Sequence, residues 1–294
     1  GFEVAIPADM VGSYDPAHGA RALAWLGGRA ATVGSSAAIL GIAPRPWQHR
    51  NPCDWDELLG EVEITGADAV ARAAERLAAL PPLALEERAA ALRAWHGDLV
   101  DTRGQWVEAL IRDLGKPRRD AEGEVAYGLD LLAQAAATIE DEEEAAGRRV
   151  RYRPYGTAGL VTPWNNPFAI PLAKLAPALA FGNCALWKPA LPGSSIARLL
   201  HRSLERCGLA ERVALVTGDG ATGEAVLGHS HLVSFTGSVA VGRLVVAEAA
   251  RRGIPVQAEL GGSNAAIVDP SADLDAAAED LAAAIFSFAG QRCT

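Results

Sequence analysis

The chain has 294 residues, half of them hydrophobic and about a fifth charged, with a net charge of −9. This is enough for one large domain or about two smaller ones with a real apolar core. The acidic balance argues against a nucleic-acid or anionic-membrane surface, and no apolar run approaches the roughly 18 residues that span a bilayer. The four cysteines, Cys53, Cys184, Cys207 and Cys293, lie far apart with no Cys-x-x-Cys pair, which argues against a disulfide framework or a structural zinc. The start, Gly1-Phe2-Glu3-Val4, has no basic region or cleavage site, so a reducing cytoplasm is the expected location.

Residues 1 to 43 read as a small α/β segment. A strand is expected over Gly1 to Ile6, a helix from about Ala17 to Leu26 behind Asp15-Pro16, and a second strand over Ala30 to Val33. A turn at 34–36 and a helical turn over Ala37 to Leu40 follow. Gly-Phe-Glu-Val-x-x-Pro-Ala-Asp, Asp-Pro-x-x-His and the later Ser-Ser resemble the closing segment of isochorismatase-like cysteine hydrolases. The resemblance implies that such a domain's catalytic residues would lie upstream of Gly1. The alternatives are a remnant of a fused hydrolase and a plain N-terminal extension. Residues 44–52, rich in proline and polar side chains, read as a linker.

A helical region follows. Thr65 with Asp68 gives an approximate capping box for a helix to about Leu80, which Pro81-Pro82 breaks. Leu85, Ala89, Leu92, Trp95 and Leu99 form a core-facing stripe on the next helix. A helix from about Arg103 to Leu114 ends in Gly115-Lys116-Pro117, and a fourth spans about Asp120 to Glu140. Trp95 and Trp106 read as core residues, and Glu140 to Glu144 as a solvated helix end. Arg148, Arg149, Arg151 and Arg153 on the following strand-like stretch are expected to pair with acids or with a partner subunit.

From Gly156 the period changes to short apolar runs alternating with helices, the signature of a parallel sheet wound with helices. Strands are expected over Ala158 to Thr162, Ala185 to Lys188, Val213 to Thr217, Leu232 to Phe235, Pro255 to Leu260 and Ala265 to Val268. Helices are expected over Ala169 to Phe181, Ser194 to Cys207, Val239 to Arg251 and Asp273 to Phe288. Such sheets bind nucleotides at the carboxyl ends of their strands. The loops there carry Thr162-Pro163-Trp164-Asn165, Lys188-Pro189, Thr217-Gly218-Asp219, Phe235-Thr236-Gly237-Ser238 and Glu259-Leu260-Gly261-Gly262. Gly237-Ser238 at a helix start offers N–H groups to a phosphate, and Lys188 suits ribose hydroxyls or phosphate. Neither a Gly-x-Gly-x-x-Gly fingerprint nor a Walker loop is present. His229-Ser230-His231 reads as a strand-entry turn rather than a metal site.

Pro-Trp-Asn-x-Pro, Lys-Pro-Ala, Phe-Thr-Gly-Ser-x-x-x-Gly, Glu-Leu-Gly-Gly and Gly-Gln-x-Cys occur in the order and approximate spacing of the aldehyde dehydrogenase superfamily, over about Asn51 to Thr294. The resemblance implies an α/β variant Rossmann cofactor domain over 53–261 with N-terminal helices, then the start of a catalytic domain over 262–294. It implies NAD- or NADP-dependent oxidation of an aldehyde to an acid, by an enzyme that is usually a homo-oligomer. Members continue well past the cysteine, so the chain is expected to be a fragment, inactive alone.

The chemistry fits these residue types. A thiolate adds to a carbonyl and leaves readily, and Cys293 matches that nucleophile. The Asn165 amide and the Cys293 N–H match the oxyanion donors, and Glu259 the base that activates water for thioester hydrolysis. The cofactor residues carried over are Thr162, Pro163, Trp164, Lys188, Gly218, Phe235, Gly237, Ser238, Leu260 and Gly261. Leu191 stands where many NAD-specific members have a ribose-binding glutamate, which leaves NADP or dual use open. Two other readings stand beside this one. One is a fusion with an amide-hydrolysing domain; the other is a nucleotide-binding fragment without catalysis.

Overall fold

A computed structural model of the chain describes residues 4–7, 20, 22–24, 31–34, 46–145 and 147–293. It divides into two units, Gly1–Pro46 and Trp47–Thr294. In the first, strands β1 (Val4–Pro7) and β2 (Ala31–Gly34) pair in parallel, Val4 opposite Ala31, and residues 20 and 22–24 between them are helical. A parallel pair needs such a crossover connection. Both expected strands are present. The expected Asp15-Pro16 cap and the helical turn over Ala37 to Leu40 lie outside the described residues.

The second unit opens with an antiparallel hairpin, β3 (Trp47–Asn51) and β4 (Asp54–Val62). The expected linker is therefore a strand from Trp47 onward. What holds it is His49, only 2% exposed, which lies 3.1 Å from the Ser195 hydroxyl and 3.3 Å from the Asp113 carboxylate. Burial pushes the Asp113 carboxyl up, against the pull of His49.

Four helices follow: α1 (Ala67–Ala78), α2 (Leu85–Asp101), α3 (Arg103–Leu114) and α4 (Arg118–Ala137). The expected capping box at Thr65 does not form. Gly66 is the N-cap without a side-chain bond, and the Thr65 hydroxyl instead accepts the N–H of Thr217. Gly115 ends α3 in the left-handed region at φ 66°, as its place before Lys116-Pro117 predicts. Helix α4 stops at Ala137, short of the acidic run. Glu142–Ala145 (β5) pairs antiparallel with Arg148–Arg151 (β6), so the expected helix end is a strand. Cross-strand charge explains the change, since Arg151 donates to Glu142 at 2.6 Å and Arg149 to Glu144 at 3.5 Å.

The remaining elements alternate: β7 (Thr157–Thr162), α5 (Ala169–Ala180), β8 (Cys184–Pro189), α6 (Ser194–Arg206), β9 (Val213–Leu215), α7 (Gly220–Gly228), β10 (Leu232–Gly237), α8 (Val239–Arg252), β11 (Val256–Leu260) and α9 (Leu274–Phe286). The strands form one parallel sheet in the order β11-β10-β7-β8-β9. Helix α7 was not expected; Asp219 caps it by accepting the N–H groups of Ala221 and Thr222. The strand expected over Ala265 to Val268 is absent. Among the described residues no strand lies beside that exposed segment, so its backbone has no ladder partner.

The apolar run Cys184–Trp187 that opens β8 follows from burial on both faces. Ala185 and Trp187 point into one core layer with Leu92, Trp95, Trp106, Phe168 and Leu200. Cys184 and Leu186 point into the other, with Val70, Leu77 and Val226. Helices therefore cover both sides of the sheet. Each such large side chain, fully buried, contributes roughly 1.5–3 kcal/mol. Trp95 is also satisfied, its Nε1 donating to Ser203 at 2.7 Å. Among the described residues no helix is long and apolar enough to cross a membrane, and no cluster suits a metal ion.

Candidate active site

Strands β7 and β10 are neighbours, yet the chain leaves β7 for β8 and β9 on one side before returning to β10 on the other. That reversal opens a crevice at the strands' carboxyl ends, where open α/β sheets bind ligands. Register then aligns the side chains across it. Lys188 stands opposite Val161, Val161 opposite Phe235, Thr236 opposite Glu259, and Gly237 opposite Leu260.

A cavity of about 460 Å³ occupies the crevice. Its wall contains Thr162, Pro163, Trp164, Asn165, Lys188, Phe235, Gly237, Ser238, Glu259, Leu260, Gly261 and Cys293. Of the sequence-predicted residues only Gly218 is missing from it. Gly218 lies in the turn before α7, and a Cβ there would strike the Thr222 hydroxyl and come 2.7 Å from its Cβ. Its smallness lets α7 close against the turn.

A second cavity of about 650 Å³ adjoins the first and shares Val161, Lys188, Phe235 and Val241 with it. Leu227, Leu244 and Val245 give it apolar walls, while Asp219, Glu224 and Glu248 line its polar side. Leu191 is in neither wall. Val241, in the first turn of α8, lines both cavities, and the helix is capped by Ser238, whose hydroxyl accepts the Val241 N–H at 3.4 Å. The other first-turn N–H groups of such a helix suit an anion. Lys188, 9% exposed, contributes an ammonium that burial pushes down and Asp219 holds up. An apolar slot, a helix start and a lysine are groups that could hold the adenine, pyrophosphate and ribose of a dinucleotide.

The three expected catalytic side chains share the first cavity. Asn165 donates its Nδ2 to the carbonyl of Gln291 at 2.9 Å, two residues before Cys293. Asn264 donates to the Cys293 carbonyl at 2.8 Å. Glu259 is the penultimate residue of β11, and both it and Cys293 are exposed. The buried Cys184 and half-buried Cys207 differ. Burial pushes both thiols up, away from the thiolate, as expected of cysteines that serve as small hydrophobes.

Several charged residues here were not expected. Lys174, on the apolar helix α5, is 7% exposed and donates to Ser234 Oγ at 2.6 Å, which in turn donates to Gln257 Oε1 at 2.6 Å. Burial lowers the Lys174 ammonium to about 8, with Glu259 opposing the shift. A lone lysine in the run Ala-Ile-Pro-Leu-Ala-Lys-Leu-Ala-Pro is the mark that could have found it. Lys116 and Glu124, both buried, form an ion pair beneath the Asn165 loop.

Residues 49–294 match the aldehyde dehydrogenase family. The alpha-ketoglutaric semialdehyde dehydrogenase of Bacillus subtilis is 34% identical over 83% of this chain and 53% of its own length. A crystal structure of an NADP-dependent enzyme from Escherichia coli superimposes with a TM-score of 0.78 at 32% identity, covering 85% of this chain and 55% of that one. An NAD-dependent aldehyde dehydrogenase from Sinorhizobium meliloti gives a TM-score of 0.79 at 28% identity, covering 84% and 53%. The chain belongs to the aldehyde dehydrogenase family. It spans about half the length of the curated relatives it matches.

Proposed function

We propose that the protein of which this chain is the cofactor-binding part oxidises an aldehyde to a carboxylic acid with NAD or NADP. The observation that carries this is the convergence of Cys293, Asn165, Glu259 and the strand-end loops on one cavity. In this reading Lys188, the α8 N-terminus with Gly237 and Ser238, Phe235 and Leu260 hold the dinucleotide. When bound, it supplies the hydride acceptor.

The chain's own groups do the rest. The Cys293 thiolate adds to the carbonyl carbon, forming a C–S bond while the π electrons move to oxygen. The Asn165 amide and the Cys293 N–H donate to that oxyanion. An amide NH₂ has two donors, so the bond to Gln291 leaves one available. Loss of hydride re-forms the C=O as a Cys293 thioester. Glu259 then takes a proton from water as its oxygen attacks, and the C–S bond breaks to return the thiolate.

The B. subtilis relative is named for a semialdehyde that also bears a carboxylate. A carboxylate-bearing aldehyde is accordingly the first substrate class to try. Two features bear on the cofactor. Leu191 removes a carboxylate that would repel a 2′-phosphate, whereas Asp219, Glu224 and Glu248 face Lys188 alone in the second cavity.

For residues 1–43, the parallel β1–β2 pair with helical residues between supports an α/β segment. The proposed likeness to cysteine hydrolases rests on the sequence pattern alone, beside the alternative of a plain N-terminal extension. The test is an aldehyde panel on the full-length protein, following NADH and NADPH, with Cys293→Ala as control. Aldehyde-dependent reduction of either cofactor that Cys293→Ala abolishes supports the proposal; cofactor binding without reduction across the panel contradicts it.

A further inference from the structure

Lys116 follows the glycine that ends α3, and Glu124 is two turns into α4. Their side chains are 1% and 3% exposed. An ammonium has three N–H donors, and all three of Lys116's are spent. One goes to Glu124, one to the Asn165 carbonyl at 2.7 Å, and one to Asn166 Oδ1 at 2.9 Å. The other oxygen of Glu124 accepts the N–H of Phe168 at 2.9 Å and of Ala169 at 3.1 Å, at the start of α5. The pair thus grips the Asn165 loop from both ends.

The same cluster reaches the cysteine segment. Lys116 Nζ lies 4.4 Å from the centre of the Phe288 ring. Phe288 sits at φ 47°, in the left-handed region, with its N–H donating to Asp120 at 3.0 Å. A bulky residue rarely adopts that conformation unless its surroundings hold it. Trp164, beside Asn165, meets Phe288 edge to face at 6.1 Å. Loop and cysteine segment are therefore both fixed to the α3–α4 junction.

We propose that Lys116 and Glu124 are a positioning pair for the oxyanion hole, setting the Asn165 amide against the segment that carries Cys293. A buried ion pair is a weak source of stability, because desolvating two charges offsets their attraction. Burial indeed pushes the Lys116 ammonium down against the pull of Glu124. What the pair supplies is geometry. This rests on the oxyanion reading of Asn165, and the test separates the two.

In the full-length protein, Lys116→Met should lower kcat for aldehyde oxidation by about 10²-fold, the effect of roughly 1 Å of misplacement. Cofactor Kd should stay within about twofold, since interactions confined to the transition state are the ones lost. Lys116→Met added to Asn165→Ala should cost less than about threefold more, because residues acting through one another are not additive. Glu124→Gln keeps an acceptor for Phe168 and Ala169 and should give a smaller loss. Should Lys116→Met fail to fold, Lys116→Met with Glu124→Leu removes both charges; it should fold and remain slow. Independent, multiplicative losses from Lys116→Met and Asn165→Ala would overturn the proposal, as would wild-type kcat in the Met/Leu variant. Wild-type kcat in Asn165→Ala would remove the oxyanion reading and this proposal with it.

Discussion

Asn165 and Gln291, 126 residues apart, are joined by a 2.9 Å bond from the asparagine amide to the glutamine carbonyl. It ties the loop after β7 to the segment that carries Cys293. The amide and Cys293 line the same cavity. Asn165→Ala should lower kcat by about 10²–10³-fold, the usual cost of one oxyanion donor. Cofactor affinity, measured by fluorescence titration, should be unchanged. A rise in KM with unaltered kcat would instead make Asn165 a substrate-binding residue.

Cofactor choice can be tested at Leu191, where, in the proposed reading, a carboxylate would pair with ribose hydroxyls and repel a 2′-phosphate. Leu191→Glu should raise the kcat/KM ratio of NAD over NADP. Repulsion between like charges at close range near a surface is worth a few kcal/mol at most, so a shift on the order of tenfold is expected. An unchanged ratio would show that the ribose lies elsewhere, for example nearer Asp219 and Glu248 in the second cavity.

Sheet packing makes a stability prediction at Gly159 in β7. A Cβ there would strike the Ser230 hydroxyl and come 2.9 Å from its Cβ, and Ser230 is 1% exposed. Ser230 is itself fixed by donating to the Val226 carbonyl at 2.6 Å. Gly159→Ala should cost about 1–3 kcal/mol in denaturant unfolding, the range for overpacking a tight core. A variant as stable as the parent would mean that Ser230 moves aside freely.

Much of this was legible because the physics is local. The buried runs of β7, β8 and β10, with Asn165, Lys188 and Gly237-Ser238 at their carboxyl ends, mark a parallel sheet and its binding edge, and register does the rest. Gly115 shows its φ in its sequence, since Lys-Pro follows it. The unread parts depend on partners far along the chain. Trp47–Asn51 looks like a linker until Asp113 and Ser195 receive His49. Glu142 to Ala145 looks like a fraying helix until Arg149 and Arg151 fold back on it. Lys116 looks like part of a helix stop, and nothing local shows that Glu124 and Asn165 close around it.

Lys174 gives a pH prediction. Its folded value is about 8, against an ordinary 10.5, so between those values the unfolded chain binds more protons than the folded one. Stability should therefore rise as pH goes from 8 to 10.5, as the cost of a buried charge is relieved. Unfolding midpoints should show the parent gaining on Lys174→Met across that window and not below it. Parallel curves would show that the ammonium is better solvated than its burial implies.

In the proposed reaction Cys293 carries the acyl group and Glu259 activates the water that removes it. Mass spectrometry of the full-length Glu259→Gln variant, quenched after mixing with aldehyde and cofactor, tests it most directly. Expected are a burst of about one reduced cofactor per site and an acyl adduct on the peptide containing Cys293, with neither in Cys293→Ala. Steady aldehyde oxidation by Cys293→Ala, or an adduct on Cys184 or Cys207 instead, would contradict it.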